Sequence, residues 1–311
     1  MTVVEQAVDR DTASRVEAIA AAAEESDGVA PLGEQPLRAL RTPGAQDIRH
    51  LVARSDTDIA GYAQIAGRGA QATAELVVDP GHRRRGVGAE LVRAVADREP
   101  GAALWAHGDL PAARALAEAE GMARTRELLK MRRRAVEGPP LPEARPAEGI
   151  EAGTLAAAAS ESGQRWPGMD ARAEFLRVNN AAFSWHPEQG GWSRDQLDER
   201  LAVGWVDPEA IFLAVDVTGP VPRLAGFHWT KTVPEPGKPL EGEVYVVAVD
   251  PADQGRGLGG LLTALGVAHL EDSAGVESVV LYVEGDNTAA IRTYDRLGFT
   301  VEHRDVTYAS R

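Results

Sequence analysis

Two polar side chains in the second half of the chain are suited to moving protons. Glu243 opens an apolar strand, and Tyr294 lies on a later helix. A carboxylate can accept the proton of an attacking amine, directly or through one water, and a tyrosine hydroxyl can give a proton or a hydrogen bond to a leaving thiolate. Taken singly, each has a simpler interpretation: a solvated strand-edge glutamate and a core tyrosine with a wet tip. Their neighbours decide between these interpretations.

A glycine-rich segment follows the strand that Glu243 opens. The apolar run 246–249 ends at Asp250, and residues 254–260 lead into leucines at helical spacing. A strand, a glycine turn and a helix can hold phosphate, because the first N–H groups of a helix lack partners within it. Arg256 would add a positive charge. The segment is not a P-loop. It satisfies both the Gly-x-Gly-x-x-Gly dinucleotide pattern and the Gln/Arg-x-x-Gly-x-Gly/Ala pattern of coenzyme A-binding loops.

The pattern occurs twice in the chain. At one constant offset, Asp79, Pro80, Arg85, Gly86 and Gly88 correspond to Asp250, Pro251, Arg256, Gly257 and Gly259. The first and last glycines of the second copy are replaced by Arg84 and Ala89, so the first copy keeps only the coenzyme A pattern. The residues after each loop also correspond, which a chance glycine turn would not produce.

The two copies differ where chemistry would take place. Ala72 stands opposite Glu243, and Ala117 stands opposite Tyr294. Leu110 likewise replaces Asn287. We therefore expect a catalytic second half with Glu243 as base and Tyr294 as acid, and a backbone N–H from 247–249 to stabilise the developing oxyanion.

Composition limits the class of protein. The chain has 311 residues, 33 basic and 47 acidic side chains, a net charge of -14 and no cysteine. The acidic balance argues against nucleic acid as the main partner, and no apolar run is long enough to span a bilayer. Without cysteine there is no disulfide framework, and His186, His228 and His303 are not at metal-ligand spacing, so no metal is expected. A cytoplasmic monomer is the expectation.

Helical and alternating patterns start over after a proline-rich stretch at 137–149. We predict an α/β fold with an N-terminal domain over 1–136, a linker over 137–149 and a catalytic domain over 150–311. Each domain is expected to be a mixed, mostly antiparallel sheet flanked by helices.

Several segments resemble the mycothiol synthase (mycothiol acetyltransferase) family, whose members are tandem-domain GNAT N-acetyltransferases. The segments are FLRVNN at 175–180, WHPEQGGW at 185–192, GFHWTK at 226–231, GEVYV at 242–246 and LYVE at 281–284, with GVAPLGEQ at 28–35, AELVV at 74–78 and WAHG at 105–108 in the first half. The resemblance implies transfer of acetyl from acetyl-CoA to the cysteinyl amine of cysteinyl-glucosaminyl-inositol, the last step of mycothiol biosynthesis.

The resemblance also implies site residues. The acceptor would be bound by Glu34, Glu188, Lys231, Glu243 and Tyr282. Acetyl-CoA would contact Val247, Ala248, Val249, Gln254, Gly255, Arg256, Gly257, Leu258, Gly259, Gly260, Asn287, Thr288, Ala289, Ala290, Ile291 and Arg292. A second acetyl-CoA, without evident turnover, would contact Leu76, Val77, Val78, Arg84, Arg85, Gly86, Val87, Gly88 and Ala89. Glu34 would place the acceptor between the two domains.

Two other functions stay open at this point. One is a GNAT enzyme for a different amine, such as a protein N-terminus or an aminoglycoside, since the coenzyme loop says nothing about the acceptor. The other is an acetyl-CoA-sensing module without turnover.

Overall fold

The structure is a computed structural model that describes residues 2–42, 47–55, 58–159, 164–184, 189–234, 237 and 239–310. The chain forms two compact units. The first comprises Met1–Leu129, Glu284–Asp286 and His303–Arg311, and the second comprises Lys130–Val283 and Asn287–Glu302. The end of the chain is therefore part of the first unit. These two compact units do not coincide with the predicted domains, which are the continuous ranges 1–136 and 150–311. The predicted domain limits stay a prediction.

The first unit is a sheet with helices on both faces. Its elements are β1 (Thr2–Glu5), α1 (Arg10–Asp27), α2 (Glu34–Arg41), β2 (Ile48–Ser55), β3 (Asp58–Ala66), β4 (Thr73–Val78), α3 (Val87–Arg98), β5 (Ala103–Ala106), α4 (Pro111–Ala119) and the start of β6 (Met122–Arg134). Strands β1 to β4 pair antiparallel, and β4 pairs parallel with β5. Core residues of α1, among them Val16 and Ile19, cover one face, and those of α3, among them Leu91, cover the other.

The second unit repeats this arrangement. It contains β7 (Ile150–Thr154), α5 (Leu155–Ala159), α6 (Ala171–Ala182), α7 (Arg194–Leu201), β8 (Ile211–Asp216), β9 (Arg223–Thr232), β10 (Glu241–Val249), α8 (Leu258–Ala268), β11 (Ser278–Glu284) and α9 (Thr288–Arg296). Strands β7 to β10 pair antiparallel, and β10 pairs parallel with β11. Helix α6 covers one face and α8 the other. The predicted α/β fold, with mixed, mostly antiparallel strand pairing flanked by helices in each unit, is confirmed.

The final strand, β12 (Thr300–Ser310), reaches the first unit, where Val306 to Tyr308 pair antiparallel with β5. The sequence patterns do not indicate this pairing with β5. They also missed β1, β7, α5 and α7, which are short elements with few positions to establish a period.

Both units need a glycine at the same place in the sheet. A Cβ on Gly61 of β3 would meet the Val77 carbonyl oxygen at 2.9 Å, and one on Gly226 of β9 would meet the Ala248 carbonyl oxygen at 2.7 Å. The same Cβ atoms would approach Leu91 of α3 and Leu262 of α8 to 3.1 and 3.0 Å. Glycine therefore lets the helix that follows each predicted loop lie directly on its sheet.

Candidate active site

The turn from β10 to α8 has the backbone geometry of an anion-binding loop. Asp250 caps a single 3₁₀ turn by accepting a hydrogen bond from the Ala252 N–H at 2.9 Å. Gly255 and Gly257 follow with φ of 81° and 76°, and α8 begins directly afterwards. The N–H groups of 258–260 precede the helix ladder, since the N–H of Leu261 makes the first bond back to Gly257.

The space beside this turn is open. A Cβ built on Gly255, Gly257 or Gly259 would meet no atom within 4 Å. The described backbone therefore offers unpaired N–H donors at the positive end of a helix dipole, with room for a phosphate group to approach. This arrangement fits the pyrophosphate of coenzyme A.

Arg256 does not present the uncompensated positive charge that the sequence suggested. Its Nη1 lies 2.7 Å from Asp216 Oδ2 and 2.6 Å from Asp253 Oδ1. These carboxylates raise the pKa of Arg256, and hydrogen bonds from Thr218 and then from Arg256 lower the pKa of Asp216. Arg223 also donates to Asp253, at 2.6 and 3.0 Å. The ion pairs fix the shape of the loop, and the backbone N–H groups supply its attraction for an anion.

Each loop is also tied to the first long helix of its unit. Arg177 of α6 bonds Asp250, and Arg15 of α1 bonds Asp79 at 2.7 Å. The partners are 73 and 64 positions apart, and sequence reasoning missed both pairs. The signal that could have found them is an arginine on the first long helix of each repeat, matched to an aspartate at the start of each loop.

The loop of the first unit keeps its charges available. Arg84 takes the left-handed conformation with φ of 61° where the second copy has Gly255, and Gly86 follows with φ of 85°. Arg84 and Arg85 are exposed, and neither makes an ion pair within the part of the chain that the structure describes. Arg83 by contrast pairs with Asp27 at 2.7 Å. The first loop is therefore more electropositive than the second.

Strand β10 separates from β11 immediately after Glu243. The two strands pair only over Glu241–Glu243, opposite Ser278–Val280. On its other edge β10 stays paired with β9, with a bulge between Val244 and Val246. The backbone at Val247 to Val249 therefore lacks a β11 partner on one edge, as expected for a strand that presents an N–H to a reacting group.

Glu243 is paired with Lys231. The two residues are cross-strand partners, and Lys231 Nζ lies 3.1 Å from Glu243 Oε2. Both side chains are partly exposed. The predicted base and a predicted acceptor-binding residue thus lie together at the point where the sheet opens.

Tyr294 lies on α9, the helix that follows β11. Its ring makes an edge contact with Phe299, with centroids 5.9 Å apart, and burial raises the pKa of Tyr294 to about 12. Asn287 is the N-cap of this helix and accepts a hydrogen bond from the Ala290 N–H at 3.1 Å. The matching residue in the first unit, Ala117, is a buried methyl group. At this position α9 carries a hydroxyl group where α4 carries a methyl group.

Glu34 lies in the first unit at the start of α2, where it is exposed and pairs with Arg38. Gly33, the residue before Glu34, is held in place by a series of charged side chains. Glu75 Oε2 accepts from the Gly33 N–H at 2.6 Å and lies 3.0 Å from His107 Nε2, while His107 Nδ1 lies 3.5 Å from Asp305. Burial alone would lower the pKa of His107, but its bonds to Asp305 and Glu75 outweigh burial and raise that pKa to about 9.

Two further residues, Tyr282 and Glu188, are predicted to bind the acceptor. Tyr282 is 48% exposed on β11. Glu188 lies outside the described residues. Sequence reasoning missed Trp205 and Tyr245, which lie beside Lys231, and Trp229, which packs against Tyr245. Tyr245 stands inside the GEVYV segment and Trp229 inside GFHWTK, so these segments held the signal.

Among the described helices, none is long and apolar enough to cross a membrane. No three His, Asp or Glu side chains in the described ranges are placed to hold a metal ion.

Comparison with protein families finds two matches in this chain. Residues 176–299 match the Acetyltransferase (GNAT) family, and residues 46–121 match an Acetyltransferase (GNAT) domain. Each match contains one of the two glycine loops.

Whole-chain relatives extend these matches. The chain is 48% identical to a mycothiol acetyltransferase of Nocardia farcinica, over 98% of this chain and 96% of the relative. It is 49% identical to a mycothiol acetyltransferase of Mycolicibacterium vanbaalenii, over 96% and 94%. Among solved structures, a GCN5-related N-acetyltransferase from Sphaerobacter thermophilus superposes with a TM-score of 0.70 at 25% identity, covering 98% of this chain and 94% of that one. A tandem GNAT protein from the clavulanic acid pathway shares the fold, with a TM-score of 0.65 at 21% identity over 99% and 97%.

Proposed function

Because this chain belongs to the mycothiol acetyltransferase family of tandem GNAT acetyltransferases, we propose that it acetylates the cysteinyl amine of cysteinyl-glucosaminyl-inositol. Acetyl-CoA is the acetyl donor, and the product is mycothiol. The second unit performs the reaction by direct attack of the amine on the thioester while both substrates are bound.

One observation supports this proposal above the others. Glu243 is the last residue of β10 that pairs with β11. Its Oε2 atom lies 3.1 Å from Lys231 Nζ. A carboxylate, an open strand edge and a phosphate-type loop thus follow one another along the same strand. The first unit has the buried Ala72 at the matching position and lacks this carboxylate.

Glu243 acts as the base. A free α-amine has a pKa of about 7.7–8.0, so at neutral pH most of the acceptor carries a proton that must leave before attack. Glu243 takes this proton directly or through one water. Positioned proton transfer of this kind contributes roughly 10²–10⁴-fold to the rate.

Two groups stabilise the charge that the attack produces. A backbone N–H at Val247 to Val249 donates to the acetyl oxygen as negative charge develops there. As the C–N bond forms, the nitrogen gives up its remaining extra proton to solvent. As the C–S bond breaks, the electron pair leaves with sulfur, and the Tyr294 hydroxyl donates a hydrogen bond to that sulfur. The amides at the start of α8 and the residues of α9 from Asn287 to Arg292 hold the coenzyme in place.

Charged side chains select the acceptor, which is rich in hydroxyls and carries an amine. Lys231 donates to an acceptor oxygen, while the carboxylates of Glu34 and Glu188 accept from its hydroxyl and amine groups. Tyr282 contributes to the same subsite. The exposed Arg84 and Arg85, with the backbone from Leu76 to Val78, bind a second acetyl-CoA in the first unit without turnover.

The test is a CoA-release assay with acetyl-CoA and cysteinyl-glucosaminyl-inositol, in which the thiol of the acceptor is blanked. The wild type should release CoA only when the acceptor is present. Glu243→Gln and Tyr294→Phe should still bind acetyl-CoA, which calorimetry measures.

Three results would contradict parts of the proposal. Release with another amine but not with this acceptor would indicate a GNAT enzyme for a different substrate. Binding of acetyl-CoA without turnover on any amine would indicate a sensor. Wild-type rates in both variants would be consistent with the proposed substrate but would refute the proposed roles of Glu243 and Tyr294.

A further inference from the structure

The ammonium group of Lys231 is partly enclosed by two aromatic rings as well as by its carboxylate partner. Lys231 Nζ lies 5.3 Å from the ring centroid of Tyr245 and 5.7 Å from that of Trp205. Glu243 Oε2 lies 3.1 Å away. A cation within about 6 Å of an aromatic face is attracted by the ring quadrupole, so both rings are near enough to hold this ammonium.

The sheet places these groups together. Alternation along β10 puts Glu243 and Tyr245 on one face, and Lys231 is the cross-strand partner of Glu243. Tyr245 stands in the bulge, where one extra residue enters β10 between the partners Val244 and Val246. A bulge re-aims a side chain at the point where regular pairing is interrupted.

The enclosure is anchored to the core of the second unit. Trp229 is 1% exposed, and its ring contacts that of Phe175 edge-on with centroids 6.0 Å apart. Tyr245 meets Trp229 edge-on at 5.6 Å and Trp205 edge-on at 5.2 Å. Both rings beside Lys231 therefore pack against a buried tryptophan that restricts their movement, whereas a lysine on an open surface moves freely.

We propose that Tyr245 and Trp205 are positioning residues for acceptor binding, because they determine where the ammonium of Lys231 points. The two ring faces and Glu243 leave Lys231 a restricted set of directions in which to donate. The acceptor oxygen that binds Lys231 is then held at a defined place relative to the carboxylate that removes the proton. This inference rests on the proposed function, in which Lys231 binds the acceptor.

Tyr245 offers the sharper test, since it is 40% exposed and a replacement there leaves the buried Trp229 in place. Tyr245→Leu removes the ring face, and Tyr245→Phe keeps it. We expect Tyr245→Leu to raise the KM for cysteinyl-glucosaminyl-inositol by about tenfold, the effect of losing one partly desolvated cation–π contact. Tyr245→Phe should stay within about twofold of the wild type, and the KM for acetyl-CoA should hold in both.

A double-mutant cycle with Lys231→Ala separates positioning from packing. If Tyr245 acts through Lys231, Tyr245→Leu adds less than about twofold to the acceptor KM once the lysine is absent. Melting temperature and acetyl-CoA affinity, measured on every variant, report whether the second unit stays folded.

Several outcomes would overturn the inference. They are additive effects in the cycle, a Tyr245→Phe variant as impaired as Tyr245→Leu, and an equal rise in KM for both substrates. A wild type that does not use this acceptor would refute the proposed function and the inference together. A wild type that uses it while the cycle is additive would refute only the role of Tyr245.

Discussion

Tyr294 should act as a hydrogen-bond donor and not as a full proton donor. The structure gives its hydroxyl a pKa of about 12 through burial on α9. A leaving thiol has a pKa of about 8.5, so complete transfer from Tyr294 to the thiolate would be uphill by roughly 3.5 units, or about 5 kcal/mol. A hydrogen bond to the developing negative charge requires no such transfer. The CoA thiolate is then protonated later by solvent.

Two measurable consequences follow for Tyr294→Phe. A hydrogen bond to a charged group is worth about 1.5–3 kcal/mol, so the single-turnover rate of acetyl transfer should fall by about 10- to 150-fold. The loss should be nearly constant from pH 7 to pH 10, because the hydroxyl keeps its proton throughout this range. Affinity for acetyl-CoA should stay close to that of the wild type.

The assay is rapid-quench measurement of product formed by excess enzyme, repeated across this pH range. Single turnover is needed because slow product release could hide the chemical step. Tyr308→Phe is the matched control: it removes a tyrosine hydroxyl that bonds Asp109 at 2.8 Å in the first unit, and we expect a rate near that of the wild type. The reasoning would be refuted by a wild-type basic limb near pH 8 to 9 that disappears in Tyr294→Phe, since that would show Tyr294 giving up its proton during turnover.

Other perturbations have equally definite outcomes. Glu243→Gln should lower kcat/KM by roughly 10²- to 10⁴-fold while calorimetry shows unchanged acetyl-CoA affinity; an unimpaired variant would exclude Glu243 as base. The folded-state pKa of His107, about 9, lies above its ordinary value of 6.5. The contribution of His107 to the free energy of unfolding is therefore complete below pH 6.5 and is lost as the pH rises through 9. Urea unfolding should show a loss of at most about 3 kcal/mol, and His107→Asn should abolish this pH dependence. Gly266→Ala should cost roughly 1–3 kcal/mol of unfolding free energy, because its Cβ would stand 2.1 Å from Nδ1 of the buried His228; undiminished stability would refute that.

The loops could be predicted from the sequence because their determinants are local. Asp250 caps the turn two residues later, and Gly257 supplies the left-handed conformation that precedes α8. Repetition of the spacing around Asp79 and Gly86 then identified two modules of one fold, which the structure and the family matches confirm. The pairing of Arg177 with Asp250 was not predictable in this way, since the residues lie 73 positions apart.

The surroundings of the proposed base show the same limit. Spacing placed Glu243 at the start of a strand before the coenzyme loop, and comparison of the repeats singled it out. Its ion pair with Lys231 depends on the register of β9 against β10, and the aromatic enclosure depends on the bulge at Tyr245. Neither the register nor the bulge leaves a periodic signal in the chain.

By itself the sequence determined the two modules, their glycine loops and the residues that distinguish the half we propose to be catalytic, because turns, caps and periodic strands are set by neighbours along the chain. Only the tertiary structure decided how charge is distributed around those loops. Asp216 and Asp253 neutralise Arg256, whereas Arg84 and Arg85 stay exposed, although the two loops look alike in sequence. It also decided that the last strand completes the first unit. Ion pairs and sheet pairing join residues that are distant in the chain, so they exist only once the backbone has brought those residues together.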